Sequence, residues 1–246
     1  MAGREVRQPF LFGAKVTGMN SQATRTSVPL VCTTCHEKLQ GPLVCSNCGK
    51  LQPTEGTDYF ALFGLPRKLW IEMAGLEQKF LQLSWKLHPD NFVNATEEER
   101  ELSLKRSSEL NDAYRALKDP VARVEYLLAI EGERKEGEKK QQAPPELLEE
   151  VFELNESLDE LREAKAAGSD LAALKEKLHA AETNFAAKLA EVDAEMQATA
   201  RDWDKAVDGS DEAACRRLMA RLNEHLNRRS YVRNLVLNVA KELEVA

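Results

Sequence analysis

A chain of 246 residues with 43% hydrophobic content is long enough to bury a sizeable core in one or two domains. Charged residues make up 30% against 6% aromatics, a balance typical of long exposed helices, and the net charge of -7 gives no overall attraction to nucleic acid or to an anionic membrane surface. No run of about eighteen apolar residues occurs, so no membrane-spanning helix is expected. Pro9–Gly13 is too short to be the apolar centre of a signal peptide.

Residues 1–28 carry Arg4, Arg7, Lys15 and Arg25 against the single acid Glu5, among many Ser and Thr. A disordered tail and a mitochondrial transit peptide both fit that composition. Residues 29–56 hold Cys32-x2-Cys35 and Cys45-x2-Cys48, with nine residues between the pairs. Each CxxC turn brings two sulfurs to one side, so the two pairs together suit one tetrahedral ion, a structural zinc. Two disulfides or a redox-active CxxC are the alternatives. The scarcity of cysteine elsewhere argues against the first, and the matched pairs argue against the second. Four thiolates close the coordination shell, so such a metal does no catalysis. His36 is an alternative ligand to Cys35, and Cys215 lies far off in a helix as a small packing residue.

Residues 57–132 read as helical: a short helix near Asp58–Phe63, a second near Lys68–Leu87, a third near Thr96–Lys118 and a fourth over Val121–Ile130. Leu76, Phe80, Leu83 and Leu87 mark one apolar face, and Leu110, Ala113 and Leu117 mark another. Thr96 with Glu99 three residues on reads as a capping box. Between the second and third helices stands His88-Pro89-Asp90, whose proline ends the preceding helix, so the tripeptide sits at the turn of an antiparallel hairpin. His88 and Asp90 are types that move protons. No nucleophile, phosphate-binding glycine loop or second carboxylate cluster accompanies them, and His36, His179 and His225 are scattered, so an enzyme is not expected.

Residues 133–143 form a charged, aperiodic linker, and 144–246 a second helical domain. Its first helix starts at Pro144-Pro145 and runs to about Ala167, where Gly168 signals its end. Ser169 or Asp170 caps a second helix over Leu171–Val207, roughly 55 Å long at about 1.5 Å per residue. Gly209, Ser210 and Asp211 turn the chain into a third helix ending near Leu243. Short turns between long helices make an antiparallel three-helix bundle. In its first helix Val151, Leu154, Leu158 and Leu161 form the core stripe. A second stripe of Leu148, Phe152, Glu156 and Glu160, with Glu153 alongside, is not required by packing and suits a partner surface, unless Leu148 and Phe152 pack under the preceding domain.

The helix ending Ser84-Trp85-Lys86-Leu87, then His88-Pro89-Asp90, then Leu110-Asn111-Asp112-Ala113-Tyr114-Arg115-Ala116-Leu117 resembles a J-domain. The opening Asp58-Tyr59-Phe60-Ala61-Leu62-Phe63-Gly64-Leu65-Pro66, the closing Arg123-Val124-Glu125-Tyr126-Leu127-Leu128 and the bundle together resemble HscB, the J-type co-chaperone of iron–sulfur cluster assembly, over residues 57–246. The cysteine pairs resemble those of eukaryotic-type members. The resemblance implies an all-α fold of a J-domain hairpin (57–132) and a C-terminal three-helix bundle, preceded by a zinc knuckle (29–56). It implies two partners and no catalysed reaction. His88, Pro89 and Asp90, with Lys79 and Lys86 on the helix before them, would engage an HscA/DnaK-type ATPase and stimulate it. Leu148, Phe152, Glu153, Glu156 and Glu160, with Tyr231 from the last helix, would hold an IscU-type scaffold. Trp85 departs from the pattern, standing where J-domains often carry a cation, as does Glu149, where many members have a large apolar residue.

The expected function is delivery of the scaffold to the chaperone, in the cytoplasm, or in the mitochondrial matrix if the tail is a transit peptide. A J-protein with another client is the alternative. A zinc-containing nucleic-acid adaptor fits less well, because Lys38 and Lys50 are offset by Glu37 and Glu55. Neither nucleic acid nor membrane is expected as a partner.

Overall fold

Helix starts follow the polar side chains that cap them. A computed structural model describes residues 31–39, 41, 43–52, 57–134 and 144–245. The tail, Pro42 and most of the linker lie outside the described residues. Asp58 accepts a hydrogen bond from Ala61 N at the head of α1 (Tyr59–Leu62), Glu72 from Ala74 N and Gly75 N at α2 (Met73–Leu87), and Thr96 from Glu99 N at α3 (Glu97–Lys118). Asp119 does the same for α4 (Pro120–Ile130). One 3-10 turn over Pro145–Leu147 leads into α5 (Leu148–Ala166), which ends where Gly168 takes the left-handed region at φ +65°. Asp170 and Asp211 accept from Ala172 N and Ala214 N at the heads of α6 (Ala172–Asp208) and α7 (Glu212–Val245). The chain is all-α, as expected. Among the described residues the only β pairing is two isolated bridges near the cysteines, Val31 with Lys38 and Val44 with Leu51.

α2 begins five residues later than its periodicity predicts. The backbone of Arg67–Ile71 is taken by the bundle instead of by a helix. Leu69 N and Trp70 N donate to the two carboxylate oxygens of Asp204 at 2.7 and 2.8 Å, and Trp203 Nε1 donates to Arg67 O at 3.0 Å. Arg123, buried, donates to Leu117 O at 2.7 Å and to Leu69 O, fixing the same segment from the other side. Burial raises the Asp204 carboxyl above its usual range, against the two N–H donors that favour its charged form. Asp204→Ala removes both acceptors and strands the Leu69 donor, while Trp70 N stands at the exposed edge. At about 1–3 kcal/mol for an unsatisfied buried group, a loss of about 2 kcal/mol is expected. A denaturant midpoint unchanged in this variant would show that the clamp contributes nothing.

Among the described residues, two large apolar clusters result, beside a small one of Cys32, Leu39 and Cys45 at the cysteine turns. One joins α1–α4 to the near end of the bundle: Phe60, Leu76, Leu87, Leu110, Ala113, Leu117 and Leu127 pack in one core with Met196, Trp203, Met219 and Leu222. Leu43 and Leu51 from the cysteine segment enter it as well. The other lies at the far end of the bundle, where Leu154, Leu158 and Leu161 of α5 meet Leu178, Phe185, Val232 and Val239. Val151 packs against it half-buried, at the edge of the expected core stripe.

Candidate functional site

The polar loop is built by the end of one helix and anchored by the next. The residue before a proline is driven out of the helical region, and His88 accordingly takes ψ 130° and closes α2. Its Nδ1 accepts from Asp90 N at 3.3 Å, starting a 3-10 turn over Pro89–Phe92. Asn91 N donates to His88 O at 2.9 Å, and Asn91 Nδ2 to Trp85 O at 2.6 Å. Below the loop Leu87 is fully buried, and its carbonyl accepts from Ser103 Oγ and Ser107 Oγ of α3 at 2.6 and 3.0 Å. The tip is therefore fixed by backbone and by α3, while its side chains face solvent: 56% of His88 and 85% of Asp90 is exposed. Asn91, Ser103 and Ser107 are the supporting residues that motif reading missed, since serines sixteen and twenty residues beyond Leu87 carry no local signal.

The two lysines differ. Lys86 is exposed in the last turn of α2, whereas Lys79 is half-buried and donates to Phe63 O at 2.9 Å, completing the end of α1. Trp85 is 78% exposed on the same helix, four residues after exposed Leu81, so most of its indole faces solvent.

On α5 the second stripe stands clear of the core. Phe152 is 71% exposed, and Leu148, Glu153, Glu156 and Glu160 are exposed as well, so the stripe does not pack under the hairpin. Phe152, Glu156 and Glu160 line a shallow depression with Asn155, Asp159 and Glu163. Lys177 of α6 approaches Glu160 at 3.9 Å. Tyr231 is half-buried against the far core of the bundle, which Leu147 and Val151 also enter.

The cysteine segment is a pair of matched turns. His36 N donates to Cys32 O and Gly49 N to Cys45 O, both at 3.0 Å, with His36 at φ 58° and Gly49 at φ +72°. His36 thus occupies the left-handed corner that glycine fills in the second turn. The four sulfurs lie within 4.8 Å of one another, with Cys32 to Cys48 and Cys35 to Cys45 each at 3.6 Å. That is far beyond a disulfide bond of about 2.05 Å. It is close to the sulfur–sulfur edge of about 3.8 Å in a tetrahedron with metal–sulfur bonds of about 2.3 Å. The Cys35 and Thr34 N–H groups lower the Cys32 thiol to about 6, while against the Lys50 N–H burial and the neighbouring sulfurs push Cys48 up to about 12, as expected where four thiols crowd one point. The residues present fit a metal ion, and His36 is not among them.

A hairpin with an outward polar loop and a long bundle with an exposed apolar-acidic stripe define an all-helical protein whose polar loop and apolar stripe both face solvent. The chain is similar in sequence to co-chaperone protein HscB homologues: that of Vibrio vulnificus is 40% identical over 116 residues, 47% of this chain and 68% of the relative, and that of Vibrio cholerae is 33% identical over 151 residues, 61% and 85%. The chain belongs to the HscB co-chaperone family, whose members are not enzymes. The human co-chaperone HscB shares its fold, with a TM-score of 0.57 at 24% identity over 86% of this chain and 98% of that one. No protein-family model matches the chain. Among the described residues no helix is long and apolar enough to cross a membrane.

Proposed function

We propose that the chain serves iron–sulfur cluster assembly by holding an IscU-type scaffold on its bundle and delivering it to an HscA/DnaK-type chaperone, whose ATPase the His88-Pro89-Asp90 loop stimulates. Residues 57–132 act as the J-domain and 144–246 as the scaffold-binding domain. The observation that carries this reading is the pairing, in one molecule, of a rigidly anchored but solvent-facing loop with a separate exposed stripe on α5. Holding both partners on one body raises their effective concentration for each other, which couples them without any reaction on this chain. The test is the ATPase rate of a purified HscA-type chaperone. The chain alone is expected to raise it, and IscU with the chain to raise it further. No stimulation under either condition would overturn the reading.

In the same reading Cys32, Cys35, Cys45 and Cys48 hold one structural zinc, which supplies a cross-link between the two turns and no open coordination position. Metal binding and folding of such a segment are one event. Cys45→Ser is expected to reduce zinc from one per chain to none by elemental analysis. Leu43 and Leu51 would then leave the hairpin core, costing about 3 kcal/mol at roughly 1.5 kcal/mol or more per leucine. Full retention of zinc by this variant would refute the ligand set.

A further inference from the structure

The two cysteine turns correspond position by position: Val31 with Val44, Cys32 with Cys45, Cys35 with Cys48, His36 with Gly49 and Leu39 with Gln52. The last pair breaks the match. Where the first turn buries a leucine, the second buries a primary amide that is 1% exposed. A buried amide is costly unless each of its polar atoms is engaged. The Gln52 atoms are engaged across the two turns. Its Oε1 accepts from Thr33 N at 3.1 Å and from Thr33 Oγ1 at 3.3 Å, and its Nε2 donates to Lys50 O at 2.9 Å and lies 3.4 Å from Cys32 Sγ. This orientation is not arbitrary. Thr33 N can only donate, so the amide oxygen must face it, and that leaves the NH2 for the sulfur and the carbonyl. Gln52 N in turn donates to Leu43 O at 2.9 Å, tying the amide to the backbone whose Leu43 and Leu51 enter the hairpin core.

We propose that Gln52 is a positioning residue of the metal centre, fixing the Cys32 thiolate from the opposite turn by an N–H···S hydrogen bond and thereby strengthening retention of a thiolate-preferring divalent cation. The proposal rests on the reading of the four cysteines as a metal site. Partners that orient a ligand in this way typically contribute 10–100-fold in metal affinity. Leucine at the sister position shows that the turn accommodates an apolar side chain there, so Gln52→Leu tests the hydrogen bond rather than the shape.

The experiment uses the full chain, zinc competition against a chromophoric chelator, and cobalt(II) as a spectroscopic probe. Gln52→Leu is expected to bind zinc about 10–100-fold more weakly. Its thiolate-to-cobalt charge-transfer band is expected to move to lower energy, because a sulfur lone pair that loses a hydrogen bond is easier to oxidise. A structural role alone would leave that band in place. Gln52→Met keeps the length of the side chain but loses the donor without adding a charge beside the sulfurs. It should show the same weakening with helicity unchanged, and it decides the matter if the leucine variant fails to fold. A band left in place in the folded variants, with or without a change in affinity, overturns the assignment of Gln52 alone. A wild-type chain that yields no tetrathiolate cobalt spectrum overturns the metal reading, and Gln52 with it.

Discussion

Replacing His88 by glutamine is expected to return a stimulated HscA-type ATPase to its basal rate while leaving the fold of this chain intact. The two halves of that expectation come from different features of the same loop. The imidazole is more than half exposed, and its polar contacts among the described residues are with Asp90, at Asp90 N and at Oδ2 3.5 Å away. Loss of the Nδ1 cap on Asp90 N at this exposed turn is expected to cost about 0.5–1 kcal/mol, too little to unfold the hairpin. The loop's position is set beneath it by Leu87 and by the Ser103 and Ser107 hydroxyls, none of which the substitution touches. A lost contact worth about 1.4 kcal/mol already lowers the population of the productive complex tenfold, and a central polar contact exceeds that. Leu87→Ala is the counterpart. It empties a fully buried site and is expected to cost about 2–5 kcal/mol, abolishing stimulation through loss of the hairpin. Equal losses of stability in the two variants, or persistent stimulation by the glutamine variant, would remove His88 from the contact.

The parts of this molecule legible in its sequence are those decided by neighbours in the chain. Thr96, Asp170, Gly168 and Asp211 mark helix ends because a cap is satisfied within a few residues, and the helices end where these residues stand. Pro89 ends α2 for an equally local reason. The departures occur where a distant partner outbids a local one. Glu99 has the spacing to complete a capping box, yet its carboxylate pairs with Lys50, forty-nine residues earlier, and only Thr96 makes its half. The periodicity of α2 extends back to Lys68, but Asp204 and Trp203 take the backbone of that stretch. Lys79 and Lys86 share a helix face by spacing, and the Phe63 carbonyl then claims one of them. At the cysteines the ligand spacing is visible in the sequence, whereas Gln52 is not. Its hydrogen bonds connect two turns nineteen and twenty residues apart, and no motif prescribes them.

For the bundle, Leu148→Ala combined with Phe152→Ala is expected to weaken binding of an IscU-type scaffold about 100-fold, with the melting temperature unchanged. Both side chains are large, apolar and turned to solvent in the free protein, so their removal empties no core. The α5 residues that hold the bundle together are Leu154, Leu158 and Leu161, on a different face. In a complex the same two side chains would pass from water into contact, where a well-packed apolar anchor is worth about 1–2 kcal/mol or more. Two such anchors give about 3 kcal/mol, which is the hundredfold change. The acids beside them act differently. Glu153, Glu156 and Asp159 are exposed charges, so neutralising them should slow association in a salt-dependent way rather than speed dissociation. The loop on α2 is untouched by all of these changes, and basal stimulation of the chaperone in the absence of scaffold should remain at the wild-type level. Titration of the double variant against scaffold is therefore decisive. An affinity equal to that of the wild-type chain would remove the α5 stripe from the contact. A parallel loss of scaffold-free stimulation would mean that the bundle and the hairpin do not work as separate docking surfaces.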